Sequence, residues 1–364
     1  MGEKKEKREY PASIWVKRFL VSTAVVLAVV CAATAILDPF FHYHAPLNGF
    51  FYTLSDQRCQ NDGITKHFSY DAVITGTSMA ENFRASEFDG LFRTTSIKVP
   101  YPGGTFREIG DNLRTAFRTH DGIRYVLRGL DYSHLTEDPM LLRTDMGEYP
   151  SYLYDRNPFN DVEYLCNRSA FLEYILPMLA RRMRGVAGGV TDFDSYSYSG
   201  ASAYGAEIAL GDRRSFSPDR NEHSGLTDEE RETVRENIRR NVTSIAEENP
   251  DTSFLYFFTP YSVIWYGALL EEGRFGKQLE AERIAAEEMF ALPNIRVFSF
   301  SADASVTTDL SHYKDPGHYS PEISSLILNR IAAGENELTP QDLEDYLTAE
   351  DSLYRSFDYD SLIP

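Results

Sequence analysis

Between Tyr70 and Met79 the chain reads YDAVITGTSM, and this stretch constrains the fold more than any other. Ala72, Val73 and Ile74 form an unbroken apolar run, the pattern of a strand buried on both faces. Gly76, Thr77 and Ser78 follow where strand should turn into helix. A serine there has its hydroxyl at the carboxyl edge of a sheet, beside the backbone N–H groups of the next helix. That is where an acyl-transfer nucleophile belongs, with donors ready for an oxyanion. It is also a common place for a helix N-cap. On this stretch alone both readings stay open.

Strands and helices then alternate. The first strand spans 71–77 and a short helix 80–92. A second strand, 96–100, runs into Tyr101-Pro-Gly-Gly104. Thr105 and Glu108 make a capping box ahead of Phe106, Ile109, Leu113 and Phe117 at helical spacing. A third strand, 123–130, ends at Asp131. From about 132 to 224 the alternation breaks into Tyr-, Ser- and Gly-rich text such as DSYSYSGASAYG, with one helix over 170–184; this reads as an insertion, not a separate domain. The pattern resumes at Thr227, which caps a helix with Glu230, its stripe being Val234, Ile238, Val242 and Ile245. Strand 253–259, helix 277–290, strand 295–300 and a last helix from Ser320, with Pro321 at its first position, complete it. Such alternation implies an α/β fold of three layers, α/β/α, around a parallel sheet covered on both faces. Residues 335–364 read as an acidic C-terminal tail with one short helix after Thr339-Pro340 and no chemistry.

The N-terminus has another character. Lys4, Lys5, Lys7, Arg8, Lys17 and Arg18 precede an uncharged apolar run from Phe19 to Leu37. At ~1.5 Å rise per residue such a run crosses the ~30 Å core of a bilayer. The basic flank keeps 1–18 in the cytoplasm and sends everything after Asp38 outside. Trp15 and the group Phe40, Phe41 and Tyr43 sit near the two ends, as interfacial aromatics do. Ala33-Thr34-Ala35 also fits a signal-peptidase site, so a cleaved signal is the rival of an uncleaved anchor. Residues 38–69 read as an irregular connecting segment, and 70–334 as the α/β domain. The net charge of −19 excludes nucleic acid as a partner and disfavours a domain lying flat on anionic lipid. Cys31 lies in the membrane run, leaving Cys59 and Cys166 as thiols that an oxidising compartment allows to pair. No spacing suggests zinc or any other metal, and no cofactor is expected.

Ligands on open α/β sheets bind at the carboxyl ends of strands. Ser78, Gly103-Gly104, Asp131 and the loop Asp315-Pro-Gly-His318 all fall at such ends. Ser78 needs a base, and an imidazole suits the task. His318 needs a partner to fix its tautomer and stabilise the imidazolium, which Asp315, three residues earlier on a tight turn, can supply. Gly104 offers a backbone N–H with no side chain in the way, an oxyanion donor. Asp309 and His312 have the same spacing but lie in a polar loop, whereas His318 directly precedes the final helix; the later pair is preferred. His134 is a weaker candidate base. His42 and His44 make a metal pair in principle, but beside the membrane and without carboxylate company they read as interfacial residues.

Gly-Thr-Ser after the first strand, Gly after the second and D-x-x-H before the last helix resemble the SGNH (GDSL-like) hydrolase superfamily over about 71–131 and 226–333. The anchor, the DPFFHYHAP segment and GTSM further resemble the membrane-anchored SGNH-like proteins of Gram-positive bacteria, which include relatives of the D-alanine transfer protein of teichoic acid loading. The resemblance implies a flavodoxin-like fold with Ser78 as nucleophile, His318 as base, Asp315 as its orienter and Gly104 as oxyanion donor. One position departs. The family usually has Asn after the third strand as an oxyanion donor, where this chain has Asp131, and an ionised carboxylate would repel an oxyanion. The implied activity is a membrane-anchored, extracytoplasmic esterase or acyltransferase acting on acyl esters of cell-surface glycans, with the insertion as acceptor site or as a loop over the sheet edge. The alternative is a non-catalytic envelope protein that binds glycan or a membrane-bound acyltransferase. A phosphoryl-transfer role is disfavoured, because no Gly-rich phosphate loop follows the first strand.

Overall fold

Five parallel strands form the core of the larger of two units, and their buried apolar sequences suit strands covered on both faces. The computed structural model describes residues 12–145, 149–200, 203–221 and 223–363. Lys4, Lys5, Lys7 and Arg8, on which the expected orientation partly rests, lie outside the described residues. In chain order the strands are β1 Phe51–Tyr52, β2 Ala72–Gly76, β3 Ser96–Pro100, β4 Tyr125–Leu130, β5 Gly189–Val190, β6 Ser253–Phe258, β7 Ile295–Ser299 and β8 Glu337–Leu338. Helices of eight residues or more are α1 Ala12–Leu37, α2 Gln57–His67, α3 Ala85–Phe92, α4 Phe106–Thr119, α5 Leu176–Met183, α6 Asp228–Ile238, α7 Val263–Glu271, α8 Phe275–Phe290, α9 Pro321–Ala333 and α10 Leu343–Ser356.

The chain divides into two units, Met1–Thr53 with Pro150–Val190, and Leu54–Tyr149 with Thr191–Pro364. The first contains α1, which already includes Ala12–Arg18 ahead of the apolar run from Phe19 and is long and apolar enough to cross a membrane. Its last turn buries Thr34 and Leu37. Asp38 follows at φ +41°, a conformation a short polar residue tolerates. Its buried carboxylate accepts the N–H groups of His42 (2.9 Å), Tyr43 (2.7 Å) and His44 (3.0 Å) and the hydroxyl of Tyr164 (2.7 Å). The DPFFHYH segment is therefore a built turn, not an irregular connection. β1 and β5 pair in parallel in this unit. Cys166 lies with its sulfur 3.3 Å from that of Cys31 on α1, so the expected partner Cys59 is replaced by Cys31 as its neighbour.

The second unit holds the sheet, in the order β3-β2-β4-β6-β7-β8, parallel except for β8. Every residue of β2 and β3 is buried, as strands covered on both faces must be. The chain moves from β2 outward to β3 and returns to β4 on the other side, which makes the gap between the ends of β2 and β4 the point where ligands bind in such sheets. Both expected capping boxes are present, Thr105 with Glu108 on α4 and Thr227 with Glu230 on α6.

Three elements differ from expectation. Part of the segment read as irregular is α2, capped by Asp56; it buries Gln60, Asn61 and Asp62, so no apolar stripe announces it. α7 is buried almost all round, and a helix without a polar face has no period to read. The C-terminal residues are not a tail: β8 pairs with β7, and α10 buries Glu350 completely.

Glu350 faces a second fully buried carboxyl, Glu282 of α8. Ser299 donates to Glu282 (3.2 Å) and Ser301 to Glu350 (3.0 Å), with the hydroxyls of Tyr346 and Tyr132 completing the network. Burial raises both carboxyls, Glu282 further through the charge of Glu350, and Glu350 to about 7. In the unfolded chain both titrate near ~4.3. The folded state thus holds more protons between those values, so stability is full below about pH 4 and falls as pH rises toward 7. The slope is about 1.4 kcal/mol per pH unit for each extra proton held. Urea melts at pH 5 and pH 7.5 should show this loss in the wild type and a smaller one in Glu350→Gln; equal losses would refute the assignment.

Candidate active site

β2 ends at Gly76, whose φ of +145° and close approach admit only glycine: an added Cβ would lie 3.1 Å from that of Ala80 and 3.4 Å from the nitrogen of Gly129. The chain then makes a single 3-10 turn, Ser78–Ala80, capped by Thr77. The expected helix over 80–92 starts only at Ala85. Buried Lys98 of β3 explains the delay, because its ammonium takes the carbonyls of Glu81 (2.6 Å) and Phe83 (3.0 Å) away from a helix ladder. Burial lowers Lys98 to about 8. Ser78 is therefore presented on a short turn, half-exposed, without an α-helix behind it.

The Ser78 hydroxyl donates to Nε2 of His318 at 2.7 Å. The other ring nitrogen, Nδ1, lies 2.7 Å and 2.9 Å from the two oxygens of Asp315. Asp315 also accepts the N–H groups of Gly317 (2.9 Å) and His318 (2.8 Å), which the Pro-Gly turn points back at it. Burial pushes this carboxyl up, but the hydrogen bonds from His318 and Gly317 outweigh it and hold it at about 2. Beside that carboxylate Nδ1 carries the proton, leaving Nε2 to accept from Ser78. The side chains of His318 and Asp315 are 35% and 42% exposed, so the pair is open to solvent and to small molecules.

Neighbouring groups fix this contact. Tyr319 donates to the carbonyl of Met79 (3.2 Å), and the Asn82 amide donates to the carbonyl of Tyr319 (3.4 Å). From beyond β6, Ser262 holds the carbonyl of Pro316 through both its N–H (2.9 Å) and its hydroxyl (2.8 Å). Asp309 and His312 are engaged elsewhere: Asp309 caps its own turn through Ser311, and His312 lies 3.2 Å from the hydroxyl of Ser320. His134 is hydrogen-bonded to Glu137, and the His44 ring to the carbonyls of Ala45 and Ile36. Among the described residues no three His, Cys, Asp or Glu side chains converge on a metal site.

The two oxyanion positions are not as the resemblance implies. The N–H of Gly104 donates to the carbonyl of Tyr101 at 2.6 Å, inside its own turn, and is not offered to Ser78. Asp131 is only 2% exposed and sits under the turn that carries Ser78. It accepts the hydroxyls of Thr77 (2.7 Å) and Tyr261 (2.7 Å). Thr77 in turn accepts the N–H of Met79 (3.3 Å), so Asp131 supports the backbone that carries Ser78. It does not cap the turn that follows it.

Residues the motifs did not signal also surround the site. Ser199, from the part of the insertion that belongs to this unit, binds Asn82 through its N–H (3.0 Å) and hydroxyl (3.2 Å). Ser197, at φ +60°, donates to Glu81 (3.0 Å), whose carboxyl is pushed up by burial against the pull of Ser197, Lys314 and His318. The Ser-rich composition of 195–199 was the available signal, but not the contacts it makes.

With this geometry in view, no family model, curated protein or solved structure matches the chain.

Proposed function

We propose that the chain is a serine esterase or O-acyltransferase of SGNH type, held to a membrane by α1 with its α/β unit outside the cell, acting on acyl esters of cell-surface glycans. The observation that carries this reading is the unbroken line of hydrogen bonds Ser78–His318–Asp315. In the reaction Ser78 Oγ attacks the ester carbonyl while Nε2 of His318 takes its proton, and Asp315 stabilises the imidazolium. The same proton passes to the departing alkoxide, leaving acyl-Ser78 and the free alcohol. Water or a second hydroxyl, deprotonated by His318, then attacks the acyl-enzyme and restores Ser78. Hydrolysis and transfer differ only in that acceptor.

The second reading, a non-catalytic envelope protein that binds glycan or a membrane-bound acyltransferase, is favoured by one observation: Gly104 and Asp131 both turn their polar groups away from the nucleophile. A fluorophosphonate probe separates the two, because it reacts only with an activated serine. The wild type should be labelled at Ser78 and Ser78→Ala should not; an unlabelled wild type would leave the binding protein as the better reading.

A further inference from the structure

Beside the carboxyl ends of β4 and β6 lies a cleft of about 330 Å³, within the ~300–1,000 Å³ of small-molecule sites. Its aromatic wall is Trp265, half-buried and stacked on Tyr132 at 5.6 Å and 21°. Its depth is marked by Gln278, only 9% exposed, whose Nε2 has no hydrogen-bond partner among the described residues. A buried amide donor without an acceptor is costly and calls for an oxygen from a ligand. The charges around the cleft cancel in pairs. Lys277 binds both oxygens of Glu230 (2.7 and 2.9 Å), and Arg274 binds Glu272 (2.9 Å).

These features select a ligand. An anion would meet Glu230 and Glu272, a cation would meet Lys277 and Arg274, and a hydrocarbon would leave the Gln278 amide unpaired. A neutral ring with one apolar face and several hydroxyls satisfies all of them, its face on Trp265 and an oxygen on Gln278. We propose that this cleft is a subsite for a neutral sugar ring. One side chain links it to the Asp315–His318 loop: the Tyr261 ring packs edge-on against Trp265 (4.7 Å, 72°), its hydroxyl donates to Asp131, and its edge lies beside Gly317 between Asp315 and His318. As the place where the glycan part of an ester substrate is held, the subsite rests on the reading of Ser78 given above.

Saturation-transfer NMR on the full chain in detergent, with triacetylchitotriose and maltotriose as probes, tests the proposal without requiring catalysis. At least one trisaccharide should bind the wild type and Ser78→Ala equally. Binding should weaken on the order of tenfold in Gln278→Leu, which fills the same volume without a donor, and in Trp265→Ala, with Trp265→Phe intermediate. No transfer to either sugar, or transfer unchanged in Gln278→Leu, overturns the subsite. Fluorophosphonate labelling of the same samples keeps the two readings apart. Sugar binding without labelling retains the subsite and removes the enzyme, and labelling without binding does the reverse.

Discussion

Replacing His318 with Ala will silence Ser78 as completely as replacing Ser78 itself, a loss on the order of 10⁴-fold or more in acyl-ester turnover. The two side chains share one proton across 2.7 Å, and members of such a unit are not additive, so the double variant should be no worse than either single one. Asp315→Asn should cost somewhat less, because the neutral amide still meets Nδ1 but no longer stabilises the imidazolium. His312→Ala should remain near wild type, since its ring is tied to Ser320. Turnover of a p-nitrophenyl ester by the four single variants and the double variant decides the matter. A crippled His312→Ala beside an active His318→Ala would mean that the wrong acid–base pair had been assigned.

The second large effect concerns Asp131. Asp131→Ala leaves the hydroxyls of Thr77 and Tyr261 without their acceptor inside the protein, each worth about 1–3 kcal/mol. A loss of about 2–6 kcal/mol is expected, together with weaker labelling of Ser78 as its turn loosens. Asp131→Asn keeps one oxygen as acceptor and turns an amide toward the other hydroxyl, which can accept in place of donating. It should lower the melting temperature modestly while leaving turnover nearly unchanged. Calorimetry and turnover on the same preparation test this. If Asp131→Asn instead accelerated ester hydrolysis without thermal cost, the carboxylate would have to lie at the reacting carbonyl, contrary to its position under the turn.

Much of this was legible in the chain because the signals are local. The buried run Ala72–Ile74, the capping boxes at Thr105 and Thr227, Pro321 at the start of α9 and the Asp315–His318 turn each depend on neighbours within a few residues. What was not legible depends on partners far away. α2 hides because its buried face is polar, and Glu350 looks like tail chemistry until Glu282 stands opposite it. The insertion shows no internal break in sequence, yet 150–190 clusters with α1 and 191–200 with the sheet. Asp131 was read from its place after a strand, and only the hydroxyls of Thr77 and Tyr261 show where its carboxylate is directed.

The acid–base pair is a local device, made within four residues, but the nucleophile it serves lies 240 positions earlier in the chain. A chain made from its N-terminus therefore exposes Ser78 long before His318 exists to activate it. On the reading proposed above, the serine is chemically quiet throughout synthesis and becomes reactive only when α9 has docked and the last loop has brought His318 to it. If that reading holds, labelling of Ser78 reports completed assembly, and a chain cut short anywhere before His318 should stay unlabelled.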